Sequence, residues 1–457
     1  MNRLLQTDSY KLSQYKQYPP KTEYIYSYVS PRKSGYYENV VVFGLQKFLN
    51  DFLAKPITIE EVQEASKFAE QHGVPFNDEG FTYIVNELEG KWPLFICAIP
   101  EGTVVPVGTP IAAVMNTDPK CFWLTSYIET AMLRAIWYPS TVATLSKSCK
   151  DIIGKYLEET GTPELLPFKL HDFGARGASS SETASIGGMA HLVNFDGTDT
   201  MEGILCAMKH YDANMCGFSI PASEHSTITS WGRDLEKDSY QNMIEQFGKP
   251  ESIYACVSDS YNIWQAIRMW KELEPLILEK GGTLVIRPDS GDPVNTPVTV
   301  VEECLEKFGY TKNDKGYKLL PSHIRVIQGD GIGPREVRDI LSLLKYKNIS
   351  ADNIGFGMGG GLLQKVDRDT LGFAMKCSAI VDSDGNVTGV SKSPIGDSTK
   401  NSLSGFIEVC IDDMGKYQTL LHKDVTKLKD SDNVMQAVYC DGLVQKRYTL
   451  DEVRANS

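Results

Sequence analysis

No stretch of this 457-residue chain reaches the roughly 18 consecutive apolar residues that a membrane-spanning helix needs, so no membrane span is expected. The start, "MNRLLQTDSYKLSQYK", lacks an apolar signal core, and export is not expected either. Positive charge is in short supply: 46 Lys and Arg stand against 59 Asp and Glu, a formal net charge of −13. That balance argues against nucleic acid as the main partner, since its backbone calls for a basic face, while leaving room for a few arginines gathered around a small anion. None of the ten cysteines forms a CxxC pair, and no Cys/His cluster has zinc spacing. The cysteines read as reduced, mostly buried thiols of a cytoplasmic protein. Low-complexity tracts, short repeats and a GxxxxGK[ST] phosphate loop are all missing.

What is there is an α/β pattern long enough for two domains. Residues 1–160 mix strands ("EYIYSYVS", "LFICAIPEGTVVPVGTPIAAVM") with a helix, "TIEEVQEASKFAEQHG", closed by Gly73. Within 161–389 seven apolar runs recur, each followed by a polar or glycine-rich loop and a helical stretch. They are "FKLHDFGARG", "HLVNFDGTD", "GFSIPASEH", "SIYACVSDS", "TLVIRPDSGDP", "IRVIQGDG" and "NIGFGMGGG". Strand–helix alternation means a parallel sheet with crossover helices, and so many units in succession favour a closed (β/α) barrel. Residues 390–457 are strand-like again and are expected to join the N-terminal part in one discontinuous β-rich domain.

Chemistry collects just after these runs, where a (β/α) barrel carries its active site. In chain order the strand ends supply Asp172, Phe173 and Arg176; Asp199; His225; Asp259; Arg287 and Asp289; Gly329 and Asp330; and the glycines of "GMGGG". Taken singly, an Asp here is a helix N-cap and Phe173 is core. Seven polar strand ends on one rim exceed what capping explains. The run "GFGMGGGLLQKVDRD" places Gly359 and Gly360 at a helix start with Arg368 in its first turns, an arrangement suited to an anion. A tight turn requiring positive φ is the other reading. Arg287 and Asp289 read either as a structural ion pair or as an anion clamp beside a hydroxyl or Mg²⁺-water acceptor. Phe173 offers a plate for a flat ring. His225 is one of only seven histidines and sits where "GFSI" hands over to a helix, "TITSWGRDLEKDSYQNMIEQF".

These motifs, together with "TDSYKLSQYKQYPP", "HDFGARGASSSETA", "PASEHSTIT", "VSDSY", "GYKLLP" and "KCS", run through nearly the whole chain. Jointly they resemble the type II phosphoribosyltransferases of NAD salvage, the nicotinate/nicotinamide phosphoribosyltransferase family, and within it the nicotinamide enzymes. The resemblance implies transfer of a phosphoribosyl group from 5-phosphoribosyl 1-diphosphate to nicotinamide. It implies that Phe173 stacks one face of the base, that Tyr10 of the partner chain in a homodimer covers the other, and that Asp199 binds the carboxamide. Arg176, His225 and Arg287 would surround the diphosphate. Asp289, Gly329 and Asp330 would hold the ribose, and Gly359, Gly360 and Arg368 the 5′-phosphate. Arg32, Lys376 and Lys392 would be further phosphate contacts. The family's matching histidine is phosphorylated by ATP, which assigns His225 as phosphoacceptor, with Asp259 orienting its ring and Mg²⁺ held through diphosphate and waters. Ala175 and Met358 depart from the tyrosine and serine of animal members and bear on the base tunnel. The alternatives are a nicotinate phosphoribosyltransferase, which a carboxylate at position 199 disfavours, and a binding protein for a nucleotide or NAD metabolite.

Overall fold

The computed structural model describes residues 2–392, 402–428 and 432–457. Two compact units share them: Met1–Thr144 with Lys209–Ala213 and Asp367–Ser457, and Leu145–Met208 with Asn214–Val366. These divisions differ from the expected 160 and 389. The first falls inside a continuous helix, Glu129–Thr160. The second precedes the strand Phe373–Asp382, which pairs along its whole length with Thr22–Pro31 and so belongs to the first unit's sheet.

That first unit is built on a seven-stranded antiparallel sheet. The N-terminal strands Thr22–Pro31, Ala112–Asn116 and Leu94–Ala98 lie at its centre. On one side follow Phe373–Asp382 and Val387–Gly389, on the other Gln436–Cys440 and Leu443–Val444. The helix Ile59–His72 has the form its sequence announces: Thr58 and Glu61 make a capping box and Gly73 ends it. The strand-like reading of the C-terminus stops short, because Thr449 and Glu452 form another capping box and start the helix Leu450–Asn456. Residues 209–213 are pinned to this unit. Gln46 donates to the His210 and Tyr448 carbonyls, and the buried Glu101 accepts from the Tyr211 hydroxyl and from the main-chain N–H of Gly44 and Gln46.

The second unit is a parallel barrel. Five strands pair in the order Leu170–Asp172, Ile354–Met358, Ile324–Gln328, Thr283–Arg287 and Ile253–Val257. Buried on both faces, they are short apolar runs, as parallel strands are. Single parallel bridges, Ala222–Ala255, Gly197–Phe218 and Asp172–Thr198, carry the ring round to its start. All seven predicted runs are therefore members of one ring, in chain order. The second and third contribute bridges instead of strands. "HLVN" prolongs the helix Ser181–His191 as turns, with the Asn194 N–H on the His191 carbonyl.

Closure at these thin places is reinforced from the side. Ser223 bonds the Ala255 carbonyl through its N–H and the Val257 N–H through its hydroxyl. His191, fully buried, places Nε2 3.2 Å from both the Leu170 and Gly197 carbonyls, with Nδ1 3.0 Å from Ser146 Oγ. One imidazole N–H thus bridges the first two ring members. At the opposite end of the strands, the buried Lys169 ammonium donates to the carbonyls of Ala351, Asp352 and Ile354, and burial pushes its pKa down to about 7. Replacing His191 by Phe keeps a flat ring but removes the donor shared by the Leu170 and Gly197 carbonyls, leaving Gly197 only the Asp172 N–H, at a cost of about 1–3 kcal/mol. His191→Phe is expected to lower the thermal unfolding midpoint; an unchanged midpoint would show that His191 does not hold the seam.

Candidate active site

The strand ends of the barrel carry two groups of side chains. The first surrounds Phe173. Its N–H bonds the Met358 carbonyl at 3.0 Å, and Asp172 Oδ1 accepts from the Gly174 N–H at 2.7 Å, which fixes the turn. The ring lies over glycine: a Cβ on Gly357 would sit 2.0 Å from Phe173, and one on Gly329 3.1 Å away. Glycine at 357 is therefore required for the ring to lie there. Gly355, Gly357 and Gly360 happen to have the GxGxxG spacing of a dinucleotide loop, but the helix that follows, Gly360–Leu363, is only four residues long. The 175–177 turn carrying Arg176 adjoins Gly360, since a Cβ on Gly177 would be 3.3 Å from the Gly360 Cα. Arg176 itself is exposed.

Asp199 stands beside this plate. Its Oδ1 accepts from His171 Nε2 at 3.0 Å and from the Ser219 hydroxyl. Burial works against ionisation, yet these two hydrogen bonds, with the charge of Arg287, hold the carboxyl below its usual range. Asp172, fully buried, is the opposite case: burial raises it to about 6, against the pull of the Gly174 N–H and the nearby Thr200 hydroxyl.

The second group centres on His225, the first residue of a short helix, His225–Thr229, opened by a Glu224–Thr227 capping box. The long helix expected here is interrupted, because Gly232 at φ +83° breaks the chain before Glu236–Phe247. His225 Nδ1 is 3.0 Å from Ser260 Oγ; Nε2 is 3.4 Å from Asp289 Oδ2 and 3.8 Å from Asp259 Oδ1. Asp259 also clamps the neighbouring loop, its Oδ2 accepting from the Asp289 N–H and the Ser290 hydroxyl, while its buried Oδ1 has no hydrogen-bond partner. Arg287 and Asp289 do form the ion pair their spacing suggests, at 3.0 Å. Asp330 is exposed beside Gly329, its carbonyl accepting from Gln328.

Five predicted residues lie in the other unit. Arg368 is not in the first turns of the glycine-led helix: Asp367 caps a separate turn, Arg368–Thr370, and its carboxylate competes locally with helix continuation. Lys376 is half-buried and held below the usual lysine range by burial and by Arg32, Lys392 and Arg368, with Glu129 opposing. Those four cations therefore share one neighbourhood. Tyr10 is 60% exposed. Met358 is fully buried, with its side chain against Gly361, and Ala175 is exposed. Sequence reading missed His171, Ser219 and Ser260. The first two lie on ring members and not in the loops after them, but both stand within quoted motifs beside Asp172 and Phe218.

Among the described residues no cluster of three or more His, Cys, Asp or Glu side chains is arranged to hold a metal ion, and no helix is long and apolar enough to cross a membrane. The nicotinate phosphoribosyltransferase (NAPRTase) family model matches residues 168–443, and the nicotinamide phosphoribosyltransferase N-terminal domain model matches residues 2–96. A nicotinamide phosphoribosyltransferase of Xanthomonas campestris pv. campestris is 49% identical over 466 residues, covering 100% of this chain and 98% of its own. Another, of Acinetobacter baylyi, is 31% identical over 498 residues, covering 99% and 96%. In fold the chain is similar to nicotinate-nucleotide pyrophosphorylase from Pyrococcus furiosus (TM-score 0.62, 15% identity, 99% and 94% covered). It is likewise similar to human nicotinic acid phosphoribosyltransferase (TM-score 0.57, 15% identity, 98% and 92% covered). By sequence and by fold, the chain belongs to the nicotinate phosphoribosyltransferase family, among its nicotinamide phosphoribosyltransferase members.

Proposed function

We propose that this protein transfers the phosphoribosyl group of 5-phosphoribosyl 1-diphosphate to the ring nitrogen of nicotinamide, forming nicotinamide mononucleotide and diphosphate in NAD salvage. The observation that carries the choice of base is Asp199, an ionised acceptor beside the Phe173 plate. An amide N–H can donate to it; the carboxylate of nicotinate would be repelled. The pyridine nitrogen is already a nucleophile, so no strong base is required. As the bond from C1 to the diphosphate oxygen breaks, the ribose gains oxocarbenium character, and the departing charge falls to Arg287 and Arg176. Asp289, Gly329 and Asp330 hold the ribose. Gly359 and Gly360 supply main-chain N–H groups to the 5′-phosphate, and the cations Arg32, Lys376, Lys392 and Arg368 offer further phosphate contacts.

His225 is the proposed phosphoacceptor from ATP. Two carboxylates beside Nε2 favour the proton there, which leaves the lone pair on Nδ1. Nδ1 then bonds to the γ-phosphorus as its bond to the ADP oxygen breaks; Ser260 gives way, and Asp289 and Asp259 balance the charge on the ring. For Mg²⁺, which keeps several waters and takes one or two carboxylates plus phosphates, Asp289 and Asp259, whose Oδ1 accepts no hydrogen bond, are suitable donors. Mg²⁺ would neutralise diphosphate charge. A homodimer with Tyr10 supplied across the interface is supported by that ring's exposure, and a cytoplasmic setting by the cysteines, which form no disulfide.

Two experiments test this reading. With nicotinamide and 5-phosphoribosyl 1-diphosphate, ATP is expected to accelerate nicotinamide mononucleotide formation and to leave an acid-labile γ-phosphate on the chain. His225→Ala should lose both the label and the response to ATP; a full response in that variant would remove His225 from the mechanism. Shared sites predict complementation. Tyr10→Ala and Phe173→Ala chains, each weak alone, should on co-expression regain about a quarter of wild-type sites, since one site in each mixed dimer is intact. No gain on mixing would contradict a site shared between subunits.

A further inference from the structure

The base end of the barrel holds a histidine that the chemistry above does not use. His171 lies on the strand Leu170–Asp172 with its side chain 14% exposed, and Nε2 is 3.0 Å from Asp199 Oδ1. The imidazole is confined on two sides. A Cβ on Gly197 would come within 2.7 Å of Nδ1, and the Phe173 ring stands 5.1 Å away, centroid to centroid, tilted by 50°. Nε2 is thus a donor in a fixed place. Ser219 donates to the same carboxylate oxygen. Among the described residues Asp199 Oδ2 makes no hydrogen bond, although the side chain is 49% exposed.

We propose, resting on the functional reading above, that His171 is a specificity-determining positioning residue: with Ser219 it occupies Oδ1, fixes the carboxylate's rotation, and leaves Oδ2 as the acceptor open to the amide of the base. A primary amide can give Oδ2 a proton to share. A carboxylate has none to give, and it meets a second negative charge. Both consequences depend on the donors. Without His171 the carboxylate can turn about its Cβ–Cγ bond, and it loses its nearest stabilising hydrogen bond. With Oδ2 no longer held toward the base, the advantage of an amide over a carboxylate shrinks, and discrimination would fall. The role is one of orientation, so a side chain that keeps a donor at similar reach should recover part of it.

The test is the ratio of kcat/KM for nicotinamide to that for nicotinate, with KM for 5-phosphoribosyl 1-diphosphate as the internal control. His171→Ala is expected to lower the ratio by about tenfold or more. KM for nicotinamide should rise while KM for 5-phosphoribosyl 1-diphosphate stays within about twofold of wild type. His171→Gln, which retains an N–H donor, should restore part of the ratio. Ser219→Ala, which removes the other donor, should move it in the same direction and keeps the claim testable if His171→Ala fails to fold. An unchanged ratio in His171→Ala or in Ser219→Ala, or a His171→Gln variant no better than His171→Ala, would overturn the proposal while the functional reading stands. Wild-type enzyme that prefers nicotinate, or uses neither base, would overturn the functional reading and this inference with it.

Discussion

The site depends on how the barrel closes at one of its three single-bridge joins. Between Leu170–Asp172 and the Gly197–Thr198 segment there is no strand ladder, only one bridge, with the Asp172 N–H on the Gly197 carbonyl and the Asp199 N–H on the Asp172 carbonyl. That join brings His171, Phe173 and Asp199 side by side, because each lies within one or two residues of it. The protein reinforces it with a buried imidazole across the seam and, at the far end of the first strand, with a buried ammonium on three carbonyls. Buried polar groups of this kind are costly unless each is satisfied, and these are.

Once the ring is closed, Phe173, Asp259 and Asp289 are each held by something other than ligand. Phe173 is seated by missing side chains at 357 and 329 and by the Asp172–Gly174 turn. The loop after Arg287 is tied to Asp259 across two strand ends, so the carboxylate beside His225 also sets the position of Asp289. Behind it, Ser258 accepts from the Trp270 indole, and Trp270 stacks on Tyr240 at 4.4 Å. Preorganisation of this sort is what charge stabilisation in a transfer reaction requires, since groups already in place do not have to reorganise as the bond breaks.

Much of this was legible in the sequence. The seven apolar runs, each with polar residues at its C-terminal end, gave the barrel, its order and most of the rim. What the pattern could not separate was a short apolar run that is a strand from one that ends a helix, as "HLVN" does, because four residues carry no usable period. The break after His225 turned on one glycine, and the separate turn at Arg368 on one capping aspartate. His171 and Ser219 were missed for a different reason. Attention to the loops beyond the strands passed over polar residues on the ring members themselves, and only the pairing that brings 171, 199 and 219 together identifies them as partners. The strand Phe373–Asp382 reads as one more apolar run in sequence; its long-range pairing with Thr22–Pro31 is a tertiary fact.

The central claim is that the Asp199 end of the rim selects an amide-bearing pyridine as acceptor of the phosphoribosyl group. The most direct measurement is a competition in one vessel: equal nicotinamide and nicotinate, limiting 5-phosphoribosyl 1-diphosphate, Mg²⁺ and ATP, with both mononucleotides quantified. The account predicts nicotinamide mononucleotide in large excess. Nicotinate mononucleotide as the main product would contradict it, leaving the barrel and the diphosphate chemistry in place but removing Asp199 as the selector.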